Sequence, residues 1–177
     1  MDSGIPFISV KDISSGYLDS SDFKYISEAE YKQFPEGAKP HKGDILFGRV
    51  CTLGTPVILE NEVKLGMFVS MGKLTNIAVH KVNTKYMKYW MLSALFDNEL
   101  YQFVNGSAQI NLNTAWLKQF NVLLPPIQEQ EKIVNYLENK CAEIDAVIAD
   151  KKTQLETLAE YKKSLIYEYV TGKKEVL

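Results

Sequence analysis

Two acids and a lysine in the first half of the chain have the residue types of a metal-dependent nuclease. Asp44 is followed later by Glu62 and Lys64 in a Glu-x-Lys spacing. Two carboxylates can hold Mg²⁺, and a lysine can stabilise negative charge that develops during phosphodiester cleavage. The pattern is weak, because Glu60 and Asn61 give this segment the composition of a solvated turn. A small Mg²⁺ nuclease is therefore the least favoured of the three functions that the sequence suggests.

Arg49 is the only arginine in the 177 residues. It ends the run 43–49, in which a glycine turn is followed by apolar residues, a pattern that predicts the end of a β-strand. One interpretation is a surface ion pair. The other is a guanidinium directed at a guanine edge or a phosphate, a geometry in which arginine binds better than lysine.

A run of amide and hydroxyl side chains at residues 105–113 forms a second polar cluster, which includes Ser107, Gln109 and Asn111. Amides of this kind can hydrogen-bond adenine edges, and they can also cap neighbouring turns. Capping is expected to use some of them, with Asn113 the first, since it precedes a short helical segment.

Composition excludes several classes of protein. Two cysteines and two histidines are too few for a disulfide framework or a zinc site with several ligands. We find no nucleophile elbow and no glycine-rich phosphate loop. The chain holds 20 basic and 22 acidic residues, and the charges balance within residues 1–124. Strong nonspecific phosphate binding by this chain alone is therefore not expected. No apolar run is long enough to cross a bilayer, and a cytoplasmic protein with reduced thiols is expected.

The predicted secondary-structure elements indicate an α+β fold, and the chain changes from one part to the other at Leu124. Residues 1–124 form a mixed unit, and residues 125–177 form a long helix. Ser27 and Glu30 form a capping box, and Thr84 is expected to cap a helix that extends to about Phe96. Short β-branched and aromatic runs predict strands at residues 5–10, 45–50, 56–59, 67–70, 74–79 and 120–124.

Residues 127–171 contain neither glycine nor proline, which predicts one helix about 65 Å long at 1.5 Å per residue. Pro126 suits its first position and Gly172 its C-cap, and a break near Asn139 is possible. Lys151 and Lys162 interrupt two heptad rows of otherwise mostly apolar residues. We expect these rows to pair with another helix rather than with the chain's own domain. The first row contains Leu137, Ile144, Leu158 and Leu165 and is interrupted by Lys151. The second row contains Cys141, Ile148, Leu155 and Tyr169 and is interrupted by Lys162.

Several segments together resemble the DNA specificity subunits of type I restriction–modification systems. The start of the chain, at residues 4–8 and 12–13, looks like the beginning of a target-recognition domain. The run 43–49 with Gly54 is similar to the central signature of that domain. Residues 106–109 and then 123–130 resemble its exit into the conserved helix, which Gly172 closes.

The resemblance implies a non-catalytic subunit that selects the DNA sequence, while a methyltransferase subunit carries S-adenosylmethionine and a restriction subunit cleaves. It implies DNA contacts by Arg49, and we add Lys11, Lys73 and the polar residues Ser107, Gln109 and Asn111 as further candidates. No cofactor or metal is expected on this chain itself. The recognised bases cannot be derived from the sequence.

One recognition domain and one helix, where a full subunit has two of each, imply a half-subunit that pairs with a copy of itself or with another half. The interface residues expected are Leu137, Ile144, Ile148, Leu155, Leu158, Leu165 and Tyr169. The alternative from a different class is an interaction protein that uses the helix alone, with a protein-binding domain in front of it.

Overall fold

The computed structural model describes residues 4–50, 55–103 and 111–176. The chain divides into two compact units, Met1–Val134 and Asn135–Leu177. The first unit contains all the strands and the shorter helices, together with the first turns of the long helix. The α+β class predicted from the sequence is confirmed.

The part of the chain that the structure describes contains six short strands, which form two three-stranded sheets. The first sheet has the order β2-β1-β5, and the second has the order β4-β3-β6. In the first sheet β1 is antiparallel to β2 and parallel to β5, whereas the second sheet is wholly antiparallel. The strands are β1 Ile5–Ile8, β2 Lys24–Ile26, β3 Ile45–Gly48, β4 Val57–Ile58, β5 Gly66–Met67 and β6 Met71–Leu74.

Strand β3 lies between the two hydrophobic cores of the first unit, and all four of its residues are buried. Side chains alternate across a strand. Leu46 accordingly packs into the cluster that contains Ile8 and Leu65. Ile45 and Phe47 pack into the other cluster, with residues of the helices. Arg49 follows directly after this rigid strand, so the fold fixes the backbone at that residue.

Three strand predictions were wrong, wholly or in part. The run 67–70 contributes only Met67 to a strand, and β6 was missed apart from Leu74, because residues 68–70 form the turn that leads into it. Residues 75–79 form no strand, because β6 already ends at Leu74. Residues 120–124 are an irregular segment before the long helix. Strand β2 was missed because a three-residue strand gives too little alternation to recognise; its pairing with β1 is what holds it extended.

The short helices are α1 Glu28–Gln33, α2 Thr84–Met91, α3 Ala94–Tyr101 and α4 Thr114–Leu117. The capping box of Ser27 and Glu30 is confirmed, and so is the cap at Asn113. The cap of α2 was wrong by one residue: Asn83 Oδ1 accepts from the backbone N–H groups of Lys85 and Tyr86.

The single helix predicted from Thr84 to about Phe96 is two helices. The chain leaves α2 at Leu92, and Ser93 Oγ donates to the carbonyl of Trp90 at 2.7 Å. A serine that bonds a preceding carbonyl competes with continued helix, which accounts for the break.

Helix α5 runs without interruption over 44 residues, Ile127–Val170, so no break occurs near Asn139. Pro126 is the residue before the helix rather than its first residue, and its carbonyl accepts from the N–H groups of Glu129 and Gln130. Gly172 has φ +72°, the left-handed conformation expected of a residue that ends a helix. Among the helices described, none is both long and apolar enough to cross a membrane.

Candidate nucleic-acid interface

The side chain of Arg49 is held from two directions. Its Nε donates to the backbone carbonyl of Leu112 at 3.2 Å. Below it lies Gly72, where a Cβ atom would be 3.1 Å from Arg49 Cδ and 2.6 Å from Phe47 Cζ. The glycine therefore leaves room for the arginine to lie across strand β6. The backbone of Arg49 is fixed as well: its N–H donates to Ser70 O, and its carbonyl accepts from Leu112 N, both at 2.7 Å.

No carboxylate forms an ion pair with Arg49 in the parts of the chain that the structure describes. The contact with Leu112 uses only Nε, and the two terminal amino groups have no hydrogen-bond partner among the described residues. A guanidinium presents five N–H donors in a planar fork. The surface ion pair, the first of the two interpretations of this residue, therefore has no support among the described residues.

Two open grooves meet at Arg49, and both also include Gly37 and Met71. The first, about 440 Å³, is mainly apolar and aromatic, with Phe7, Phe34 and Phe68 in its wall. The second, about 460 Å³, contains two lysines in addition to the arginine, and these are Lys73 and Lys118. No aspartate or glutamate lines either groove among the described residues. This surface favours an anionic ligand.

Lys73 lies in the second groove, but its ammonium is already paired. It donates to Asp44 Oδ2 at 2.9 Å and to the carbonyl of Lys39 at 3.0 Å. Both members of the ion pair are largely buried. The pair therefore fixes β3 to β6, and a DNA contact by Lys73 stays a prediction that this geometry does not favour.

Asp44 is a structural carboxylate rather than a metal ligand. Burial alone would raise its pKa, but hydrogen bonds from the His41 backbone, the Thr75 side chain and the Lys73 ammonium together hold the pKa below its ordinary value. These donors already occupy the carboxylate.

The other two residues of the nuclease hypothesis, Glu62 and Lys64, have different partners. Glu62 accepts from His41 Nδ1 and from the Lys42 N–H, and Lys64 pairs with Glu28. Within the described ranges no group of three or more His, Cys, Asp or Glu side chains is placed to hold a metal ion. The positions of Asp44, Glu62 and Lys64 therefore give the nuclease hypothesis no support.

We expect Asp44→Asn to lower the free energy of unfolding by about 2–3 kcal/mol at pH 7, because Lys73 loses its buried counter-charge. The Asp44 pKa is lower in the folded than in the unfolded chain. Its stabilisation is thus fully present above about pH 4 and is lost as the pH falls through the folded pKa. Urea unfolding at pH 7 and at pH 3 measures this.

The exposed Glu62→Gln variant is the matched control and should leave the free energy of unfolding nearly unchanged. If Asp44→Asn lowers the free energy of unfolding as much at pH 3 as at pH 7, the contact depends on shape rather than on charge.

The remaining predicted DNA contacts lie in different places. Lys11 is half exposed in a separate groove, where Asp22 is its main partner and raises its pKa. Asn111 is exposed and forms an isolated β-bridge with Val50, next to Arg49. Ser107 and Gln109 lie outside the described residues. The structure thus brings Arg49 and Asn111 together and places Lys11 apart from them.

Gln130 is a structural residue of the site region that the sequence did not single out. It is fully buried, and its side chain satisfies three main-chain groups. Its Nε2 donates to the carbonyls of Lys81 and Pro125 at 2.8 and 2.7 Å, and its Oε1 accepts from the N–H of Asn83 at 2.8 Å. A glutamine in the first turns of a predicted helix gives no local signal of such burial.

The second unit, considered alone, consists largely of solvent-exposed helix. Most residues predicted for the helix interface are exposed, with Leu155 at 68% and Leu158 at 61%. Ile144, Ile148 and Tyr169 are exposed as well, and Leu137 and Leu165 are partly buried. Large apolar side chains without cover in the described chain are typical of an interaction surface.

Solved structures with a similar fold come from type I restriction–modification systems. The HsdS subunit from Thermoanaerobacter tengcongensis matches with a TM-score of 0.63 at 16% identity, over 92% of this chain and 40% of that one. A chain from a structure that describes complex assembly and conformational transition of the type I R-M system matches with a TM-score of 0.55 at 19% identity, over 91% of this chain and 36% of that one. These matches define the fold.

The chain belongs to the family of type I restriction modification DNA specificity domains, whose model matches residues 1–157. The EcoBI specificity subunit of Escherichia coli is 28% identical over 81% of this chain and 30% of the relative. The MjaVIII specificity subunit of Methanocaldococcus jannaschii is 26% identical over 74% of this chain and 28% of the relative. This chain thus spans about a third of the length of these two proteins. The resemblance stated from the sequence is confirmed.

Proposed function

We propose that this chain recognises the sequence of one half of a bipartite DNA site for a type I restriction–modification complex, and that it has no catalytic activity of its own. The observation that carries the proposal is the guanidinium of Arg49, which forms no ion pair with a described residue and is held over Gly72 between two grooves that contain no acid among their described residues. A fixed arginine suits bidentate hydrogen bonding to a guanine edge.

The charge of the chain supports a contribution of another subunit to DNA binding. The neutral balance of residues 1–124 gives little of the sequence-independent phosphate attraction on which DNA-binding proteins depend. A partner subunit has to supply it. We propose that this partner is a methyltransferase that carries S-adenosylmethionine, with a restriction subunit in the complete complex, and that the assembly works in the cytoplasm.

We further propose that α5 joins this unit to a second recognition unit, supplied by a copy of this chain or by another half-subunit. Two copies with antiparallel helices would be related by a two-fold axis. Each copy would then read the same half-site, and the DNA would be an inverted repeat with an unread spacer. The half-sites would lie about 34 Å apart, one helical turn, if both units approach the same face of the duplex.

Mapping of methylated bases tests this function directly. In cells that express this chain with its methyltransferase and no other specificity subunit, we expect methylation at a palindromic bipartite site. The matched control is a strain with the methyltransferase alone, which should show none. An asymmetric site would exclude two identical halves related by a two-fold axis, and methylation identical in both strains would contradict the proposal.

A second candidate function, helix-mediated protein binding without DNA recognition, is favoured by one observation, the uncovered apolar residues of α5. A mobility-shift assay on random duplexes, with and without the methyltransferase, separates the two. The interaction protein should shift no DNA under either condition.

A further inference from the structure

Two apolar side chains are exposed at the turn between β5 and β6. Phe68 is 48% exposed and Val69 is 78% exposed. Both line the apolar groove that Arg49 also lines. A valine so exposed contributes little to the core of its own chain.

The turn is held in place by backbone hydrogen bonds on each side. The N–H of Phe68 donates to Ile8 O at 2.8 Å, and Met71 N–H closes the turn on Phe68 O at 2.9 Å. The carbonyl of Ser70 accepts from the N–H of Arg49 at 2.7 Å. The Phe68 ring also packs edge-on against Phe7, with 5.8 Å between the ring centroids. The apolar pair is thus presented rigidly and is tied to the backbone of Arg49.

Basic residues lie on both sides of the turn. Arg49 shares the first groove with Phe68 and Val69. On the other side Phe68 lines a smaller groove together with Lys11, Lys24 and Asp12, where Lys11 is paired with Asp22. The groove that Phe68 and Val69 share with Arg49 is lined by no acid among the described residues, which favours DNA rather than an apolar protein face as the molecule that covers the pair.

We propose that Phe68 and Val69 bind the C5-methyl group of a thymine adjacent to the guanine that Arg49 reads. The inference rests on the function proposed above. In the major groove, guanine presents O6 and N7 and thymine presents its methyl group, so neighbouring base pairs offer a polar and an apolar target on one side of the duplex. The thymine methyl is the apolar group in that pattern. Phosphates and the polar edges of the bases offer Phe68 and Val69 no apolar surface to bind.

Deoxyuridine provides the test, because it pairs as thymine does and lacks only the methyl group. The full chain, together with its methyltransferase subunit, is used to select bound duplexes from a random library, and the enriched site is then synthesised with single thymine-to-deoxyuridine replacements. We expect a thymine next to a guanine in the site. Its replacement should weaken binding by about fourfold, the value of one buried methyl group.

The variants Val69→Ala and Phe68→Ala connect this loss to the turn. At least one of them should bind the thymine site more weakly than the unmodified chain and should no longer distinguish thymine from deoxyuridine. Val79→Ala, an equally simple change at a valine that is 61% exposed elsewhere, is the matched control and should retain the fourfold difference. Unfolding curves confirm that each variant is folded.

The outcomes separate the two proposals. If a site is enriched but deoxyuridine binds as well as thymine, or if both variants keep the full difference, the thymine contact is wrong and DNA recognition stands. If the variants lose affinity for the methyltransferase and not for DNA, the turn is a protein contact and this inference is overturned. If no sequence is enriched, both proposals are contradicted.

Discussion

Replacing Arg49 with alanine is expected to weaken binding to the recognised duplex by about 5- to 150-fold, the equivalent of 1–3 kcal/mol for a bidentate guanine contact. The loss should be concentrated at one base pair, so that substitution of the guanine costs the unmodified chain as much as the variant loses. Titration of fluorescent duplexes at a fixed salt concentration measures both effects.

Two variants distinguish base reading from charge. Arg49→Lys keeps the positive charge but removes the planar fork, and it should lose nearly as much affinity as the alanine variant. Lys118→Ala removes an exposed charge from the adjoining groove. It should reduce binding to all sequences equally and lower the salt dependence. A folded Arg49→Ala variant with unchanged affinity and sequence preference would exclude this residue from the interface.

A second large effect is expected at the exposed apolar rows of α5. Changing Leu155 and Leu158 to aspartate places two charges where the partner helix should bury apolar groups, at a cost of several kcal/mol. The self-association constant should therefore fall by more than a hundredfold. Sedimentation velocity at tens of micromolar measures this, with circular dichroism to show that the helix persists.

Thr157→Asp is the control for added charge, since it places one aspartate on the helix outside the two rows. It should leave association unchanged. An unmodified chain that is monomeric at tens of micromolar, both alone and with the methyltransferase subunit, would show that these rows do not form the interface.

Local sequence signals predicted the elements whose causes are local. The absence of glycine and proline predicted the whole of α5, and the Ser27 capping box and the Asn113 cap each depend on residues within a few positions of one another. Strand prediction failed at residues 68–70, 75–79 and 120–124. Whether an apolar run becomes a strand depends on a pairing partner elsewhere in the chain.

The site was predictable only in part, for the same reason. Arg49 was identified because it is the sole arginine. What fixes its side chain is the carbonyl of Leu112, 63 residues away, and the missing side chain of Gly72. Lys73 was a candidate DNA contact, yet Asp44, 29 residues away, holds it within the fold. Contacts across such separations leave no periodic pattern in the sequence.

The contacts of Gln130 have a consequence for how this kind of domain can change over generations. Its amide bonds only main-chain atoms, the carbonyls of Lys81 and Pro125 and the N–H of Asn83. Apart from proline, which lacks the N–H, every residue carries the same main-chain groups. Substitutions at position 81, or at positions 49 and 69, therefore leave the partners of the Gln130 amide in place. The recognised DNA sequence can thus change through substitutions on the surface while the hydrogen bonds of Gln130 in the first turns of α5 stay the same.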